Sequence, residues 1–425
     1  MKIRVLNKLH DTLAVIVNDS VYRKFKIALA SSKDATLPIC IMPASHPDIN
    51  AQVNIDEYFV TPKTLKVFQA NSEELNIKLV SNGLFVYGTL VKRGIYPNGQ
   101  TFEGWGGLCK FPMIKAMIDD YALYYRNLPY AIRQDKQNIL GETYLDVDDD
   151  AIKNIHEIEI GAGYHETAAR ATIMENFPLI GDVEVKFYEH KSQPSGIKMK
   201  TMIYGEAFYV NGKMIYFEHN KYFSALRGNC PIIITAPHGG YYRPIDMPMK
   251  GEREADEETY ELAREIIVNI YEMSDKRFVP SAVLARIHRS RVDLNNEQDF
   301  YESSIAKIYH NTISELASER KVLLIDIHGM SEHNDYDVEL GTMFGRTING
   351  REDVVNSALD VLEKSNLSVC VDRKYFGGFT VRKHGRKNNV IAIQIEVNKR
   401  LRSFDKYKNT AKILADTIIQ AYQLL

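Results

Sequence analysis

Two histidines occupy matching places in the C-terminal half of the chain. His238 follows the apolar run Ile232-Ile233-Ile234-Thr235-Ala236-Pro237, and His328 follows Leu323-Leu324-Ile325-Asp326-Ile327. Continuous β-branched runs of this length read as buried strands, which predicts each imidazole just beyond the carboxyl end of a strand. Gly239 and Gly329, directly after each histidine, permit a tight turn and a close approach by substrate. Two imidazoles and one carboxylate, with a position left open, form a common catalytic zinc site. His238 and His328 are therefore candidate ligands for one zinc ion, and the carboxylate is sought in the acidic run 252–258. Asp256 is the preferred third ligand, with Glu252 as substitute; the rest of the run reads as charge complementing a helix start. Asp326, two residues before His328, is suited to orienting a ligand.

Other residues of the same half suit hydrolysis. Gln394-Ile395-Glu396-Val397-Asn398 sets Glu396 inside an apolar strand. A buried carboxylate needs a partner or a task. The partner would be Lys399 or Arg400; the task would be that of a general base taking a proton from water. Residues 286–295 concentrate arginines, whose forked guanidinium suits recognition of a carboxylate, with a solvated basic loop as the competing account. In the middle of the chain, Leu84-Phe85-Val86 stops at Tyr87-Gly88-Thr89-Leu90. The glycine there opens backbone N–H groups to an anionic or carbonyl ligand. Glu159 closes an acidic-led helix just before Gly161-Ala162-Gly163, where its carboxylate can point into a cavity.

The elements that must position these groups fall into zones. Residues 1–80 mix short apolar alternations (Ile3-Arg4-Val5, Tyr58-Phe59-Val60) with polar turns, and read as a small α/β or β-rich module without visible chemistry. His46, in a Pro/Asp turn, reads as a surface residue. Residues 81–195 read as a compact, mainly β domain, with strands at 121–125, 140–144 and 183–188. Its one helix is expected at 148–159, carried by Ile152, Ile155 and Ile158. Residues 196–227 form a linker with a hairpin turning at Asn211-Gly212, a pair that tolerates positive φ. Residues 228–425 alternate apolar strands (231–235, 321–327, 390–397) with amphipathic helices. These carry Leu262, Ile266, Ile267 and Ile270, then Ile305, Ile308, Ile313 and Leu316, with a closing helix at 410–424. That alternation indicates a multidomain α/β protein whose last sheet is covered by helices on both faces.

Composition narrows the partners. The chain has 425 residues, a formal charge of −2, 45% hydrophobic and 25% charged residues, which argues against a broadly basic nucleic-acid binder. Cys40, Cys109, Cys230 and Cys370 are scattered and form no CxxC pair, which fits a reducing compartment. No stretch approaches the roughly 20 apolar residues of a spanning helix. A cytoplasmic protein with a small-molecule substrate, and neither nucleic acid nor membrane as partner, is expected.

The ordered motifs APHGG, HRSRVDLN, DIHG, ELG, GGFTVRKHG and IQIEVN, over roughly 225–425, resemble the N-formylglutamate amidohydrolase family, relatives of zinc carboxypeptidases. The resemblance implies an α/β phosphorylase/hydrolase-like domain and zinc-dependent attack of water on an amide of an acidic amino acid. It implies His238 and His328 as ligands, Asp256 as the acid before Thr259-Tyr260-Glu261-Leu262-Ala263, and Glu396 as the base. Arg289, Arg291 and Asn295 are implied for the substrate carboxylate, and His384 for the pocket lining. Asn296 stands where relatives usually carry an arginine, and Tyr241 where carboxypeptidases carry the Glu of His-x-x-Glu.

Residues 83–190, with Tyr87-Gly88-Thr89-Leu90, Gly141-Glu142-Thr143-Tyr144 and the acidic helix ending in Glu159, resemble the γ-glutamylcyclotransferase-like (AIG2-like) family. That implies a small β-barrel whose YGTL loop holds a γ-glutamyl group while Glu159 moves a proton, releasing 5-oxoproline without a metal. Ile160 replaces the family's usual glycine, and Tyr164-His165-Glu166 its usual Tyr-x-Arg. Both resemblances concern amides of glutamate-like units. They imply a bifunctional enzyme, or alternatively a monofunctional amidohydrolase whose other domains only bind substrate or a partner.

Overall fold

The computed structural model describes the backbone of residues 2–6, 13–17, 39–43, 57–59 and 76–80. It then describes residues 83–425 apart from 109–110, 112, 145–146, 175–181, 243, 245–246, 249, 251–253, 319–320 and 404–405. His46 and Glu252 lie outside the described residues. Contacts divide the chain into two units, Met1–Tyr216 and Phe217–Leu425. At the start of the first, strands Glu57–Phe59 and Asn76–Val80 flank Lys2–Leu6 in parallel, and Leu13–Val17 pairs in parallel with Ile39–Pro43.

A barrel follows. Its strands are β1 (Leu84–Val86), β2 (Met113–Tyr125), β3 (Pro129–Tyr144), β4 (His165–Ile173) and β5 (Asp182–Glu189). Antiparallel pairing runs β1–β3–β2–β4–β5, and a parallel bridge between Lys186 and Leu84 returns from β5 to β1. The five strands thus close on themselves, which removes unpaired edges. Inside lie Phe85, Ile114, Ala116, Ile118, Leu123, Ala131, Ile139, Val185 and Phe187. The Phe187 ring meets Tyr121 and Phe85 edge-on at centroid distances of 4.9 and 6.2 Å.

Helix α1 (Asp149–Gly161) starts at Asp148, whose carboxylate accepts from the Ala151 N–H at 2.8 Å. It buries Ala151 and Ile155 against Leu84, Val86 and Tyr144. Ile158, expected on the same face, is 58% exposed, because a spacing of three drifts off a stripe with a period of 3.6. The hairpin of Ala207–Val210 and Lys213–His219 turns at Asn211 and Gly212, with φ of 49° and 81°.

In the second unit the parallel centre of the sheet is β7 (Ser281–Ala285), β6 (Ile232–Ala236), β8 (Val322–Met330) and β10 (Val390–Asn398), in that spatial order. Strand Phe223–Leu226 adds to one edge antiparallel, and β9 (Val338–Gly341) to the other. Period-two alternation sends Ile233, Leu324, Val390 and Ala392 to a core shared with helix Ser304–Leu316. The intervening Ile232, Ile234, Leu323, Ile325, Ile391 and Ile393 are buried on the opposite face. Helix α2 (Thr259–Met273) lies against β6, β7 and β8, and packs on the closing helix Tyr407–Tyr422. Both faces are covered, which explains why these strands read as unbroken apolar runs. One expectation is corrected: His328 does not lie beyond its strand, since β8 runs on to Met330 through pairing with β10 as far as Asn398. Among the described residues no helix is long and apolar enough to cross a membrane.

Phe187→Ala should destabilise the barrel by about 3–5 kcal/mol, because it empties the ring's place in a closed core. Urea titration followed by fluorescence of the single tryptophan, Trp105, in the same unit, checks this.

Candidate functional site

The carboxyl ends of the central strands carry the polar groups. Register pairs Asp326 with Gln394 and His328 with Glu396 across β8 and β10, so strand periodicity turns all four to one face. His238 leaves the end of β6, and Asp256 lies just before α2, its backbone N–H bonded to the His238 carbonyl at 3.0 Å. One ligand atom each from His238, Asp256 and His328 falls within 4.8 Å of the others, all three side chains buried. Asp256 Oδ2 stands 3.3 Å from His238 Nδ1 and 3.2 Å from His328 Nδ1.

Further carboxylates hold the far side of each imidazole. His238 Nε2 lies 2.7 Å from Asp293 Oδ1, and His328 Nε2 lies 3.0 Å from Asp326 Oδ2. Thr235 in turn donates its hydroxyl to Asp326 at 2.5 Å. A carboxylate behind each imidazole fixes its tautomer and turns the other nitrogen inward, as in histidine–metal sites. Burial by itself raises the Asp256 carboxyl, but the charge of His238 and bonds from both imidazoles outweigh it and hold it well below the usual range.

The donor set fits a divalent ion. Bonds of 2.0–2.1 Å at tetrahedral angles set ligand atoms roughly 3.3 Å apart, and the two Asp256 edges match that spacing. His238 Nδ1 is buried without a hydrogen-bond partner, the condition of a nitrogen awaiting a metal.

A cavity of about 360 Å³ opens on this cluster, lined among others by Arg289, Asn295, Lys374, Gly378, Gln394 and Glu396. Burial pushes the Glu396 carboxyl up to about 7, against the pull of His328, and Gln394 donates to it at 2.8 Å. The alternative ion pairs are made elsewhere: Lys399 meets Glu257 at 3.1 Å, and Arg400 meets Asp337 at 2.8 Å. Arg289 reaches the cavity while bonded to Asp256 and Asp293, at 3.2 and 3.5 Å. Asn295 accepts from the Thr380 N–H at 2.7 Å, and Gly378 passes so close that a Cβ there would fall 2.0 Å from its amide.

Two implied substrate residues are not brought to this cavity. Arg291 donates to the Met247 carbonyl instead. His384 is fully buried, with Nε2 3.1 Å from His310 Nδ1, and burial lowers it to about 2. Its place is set by α-helical residues Phe379–His384 packing inward, beneath the sheet's polar end. The reading also missed Asp293 and Glu339. Glu339 Oε1 accepts from the N–H groups of Arg373, Lys374 and Tyr375 at 2.6–2.8 Å and so shapes the cavity rim. Both sit in motifs quoted above, DLN and ELG, which was the available signal.

In the barrel, Tyr87, Gly88, Thr89 and Leu90 line one cavity of about 140 Å³ together with Glu159, Pro129, Tyr164 and Tyr188. Tyr87 donates to the Tyr188 carbonyl at 2.5 Å and accepts from the Ala131 N–H at 3.1 Å, which anchors the loop. A Cβ on Gly88 would fall 2.6 Å from Pro129, so the loop's close approach needs glycine. Burial raises Glu159 to about 7. Tyr164 donates to the Pro129 carbonyl at 2.7 Å and is raised to about 12 by burial and by Glu159.

Residues 307–402 match the family model for N-formylglutamate amidohydrolase, and residues 84–205 that for gamma-glutamyl cyclotransferase, AIG2-like. Among solved structures, an N-formylglutamate amidohydrolase from Ralstonia eutropha JMP134 is 14% identical, covering 48% of this chain and 98% of its own (TM-score 0.39). A bacteriophage poly-gamma-glutamate hydrolase is 12% identical over 48% of this chain and 90% of its own (TM-score 0.29). An uncharacterized protein from Pyrococcus horikoshii is 29% identical over 28% of this chain and 86% of its own (TM-score 0.21). Comparison with curated proteins finds no match. By its motifs and these matches, the C-terminal half resembles the N-formylglutamate amidohydrolase family and the middle region the γ-glutamylcyclotransferase-like family.

Proposed function

We propose that the chain is a bifunctional cytoplasmic enzyme acting on glutamate-type amides, with units at 1–80, 81–195, 196–227 and 228–425. Its C-terminal domain is a zinc-dependent amidohydrolase for an N-acyl-glutamate or γ-glutamyl amide. The observation that carries this reading is the convergence of His238, Asp256 and His328 on one point, with a carboxylate behind each imidazole. A zinc ion there would be held by those three side chains and would supply Lewis acidity toward the amide carbonyl. Glu396, raised by burial, takes a proton from the attacking water and returns it to the leaving nitrogen. Arg289 and Asn295 present donors to the substrate carboxylate, and Gln394 steadies Glu396.

The middle domain is read as a γ-glutamylcyclotransferase, supported by Glu159 sharing a small cavity with the Tyr87–Leu90 loop. The loop's backbone N–H groups hold the γ-glutamyl carbonyl, and Glu159 takes a proton from the α-ammonium. The freed amine attacks the γ-carbonyl, and the same carboxyl returns the proton to the leaving amine. An intramolecular nucleophile needs mainly orientation.

His328→Ala should abolish both zinc retention and amide hydrolysis, whereas Glu396→Gln should keep the metal and lose roughly 10²–10⁴-fold in kcat. Elemental analysis beside a glutamate-release assay separates the two outcomes. Asp293→Asn should weaken zinc binding by roughly 10–100-fold, read by competition with a chromogenic chelator. For the barrel, the working form of Glu159 is the carboxylate. Formation of 5-oxoproline should therefore rise with pH up to about 7 and level off above it, and Glu159→Gln should remove it.

A further inference from the structure

A second cavity, of about 470 Å³, adjoins the one that receives the paired imidazoles. The two share Asp256, Arg289 and Gly329 as walls. Asp256 offers an oxygen to the ligand cluster, so the cluster lies where the cavities meet. Gly329 keeps that junction narrow-walled: a Cβ there would fall 2.4 Å from the Arg402 guanidinium.

The second cavity is built from fixed charges of both signs. Arg402 is buried, its guanidinium donating to the carbonyls of Val397 at 2.9 Å, Met330 at 3.2 Å and Glu257. Lys399 pairs with Glu257 at 3.1 Å, and Glu254 adds a further carboxylate to the wall. A formyl amide carries only hydrogen on its carbonyl carbon and needs no such space. An acyl group ending in an α-ammonium and an α-carboxylate needs room and both signs of charge.

We propose that this site takes amides whose acyl part is γ-glutamyl, lodged in the second cavity, in preference to formyl amides. The inference rests on the amidohydrolase reading above and names its substrate class. In the reaction the amide C–N bond breaks, water gives its hydroxyl to the γ-carbonyl carbon, and its proton goes to the leaving amine. From γ-glutamylglutamate the products are two molecules of glutamate, which distinguishes this reaction from the barrel's 5-oxoproline.

The test compares γ-glutamylglutamate with N-formylglutamate on the full chain. Zinc-loaded protein should release glutamate, not counted as 5-oxoproline, with kcat/KM at least tenfold higher for the γ-glutamyl amide. Zinc-depleted protein titrated calorimetrically should bind it at least tenfold more tightly. Ser331→Trp, a change at an exposed position of the second cavity, should lower both ratios at least tenfold. Equal or formyl-favouring ratios, or ratios unmoved by Ser331→Trp, would overturn the inference and leave the amidohydrolase reading standing. Hydrolysis of neither amide by protein that retains zinc would remove that reading, and the inference with it.

Discussion

Everything at the C-terminal site depends on how two imidazoles are held from behind. Asp293 and Asp326 grip the outer nitrogens of His238 and His328, and this alone turns both inner nitrogens toward Asp256. Three carboxylates this close would repel one another in a low-dielectric interior without the imidazoles between them. The buried cluster is therefore mutually dependent, and the orphaned His238 nitrogen marks where a cation would complete its charge balance.

The scaffold delivers these groups through regular geometry. Parallel pairing of β8 with β10 sets Asp326 beside Gln394 and His328 beside Glu396, and the pleat turns all four to one face. The covered faces leave the strand ends as the place where polar side chains meet a cavity, the usual ligand position of such sheets. The barrel solves a different problem. Closure of five strands removes its edges and leaves the YGTL loop and the end of α1 facing one small cavity. There a single carboxyl is raised by burial and needs no ion.

Much of this was legible beforehand. Unbroken apolar runs located β6, β8 and β10, since strands buried on both faces carry no alternation to hide them. Asn211-Gly212 located its hairpin because few other pairs accept positive φ twice in succession. The end of β8 was misjudged, because a histidine inside a strand has no local signature; only pairing with β10 extends it. Arg291 and His384 carried motif context but went elsewhere, one to a backbone carbonyl and one into the core beside His310.

The sequence by itself determined the element types, the strand–His–Gly repetition and the identity of the polar groups, because periodicity and turn chemistry are local. Only the tertiary structure decided which carboxylates stand behind which imidazole, and that Asp256 belongs to two cavities at once. Those relations join residues as far apart as Asp256 and His328, and only strand register and helix packing bring such positions within bonding distance.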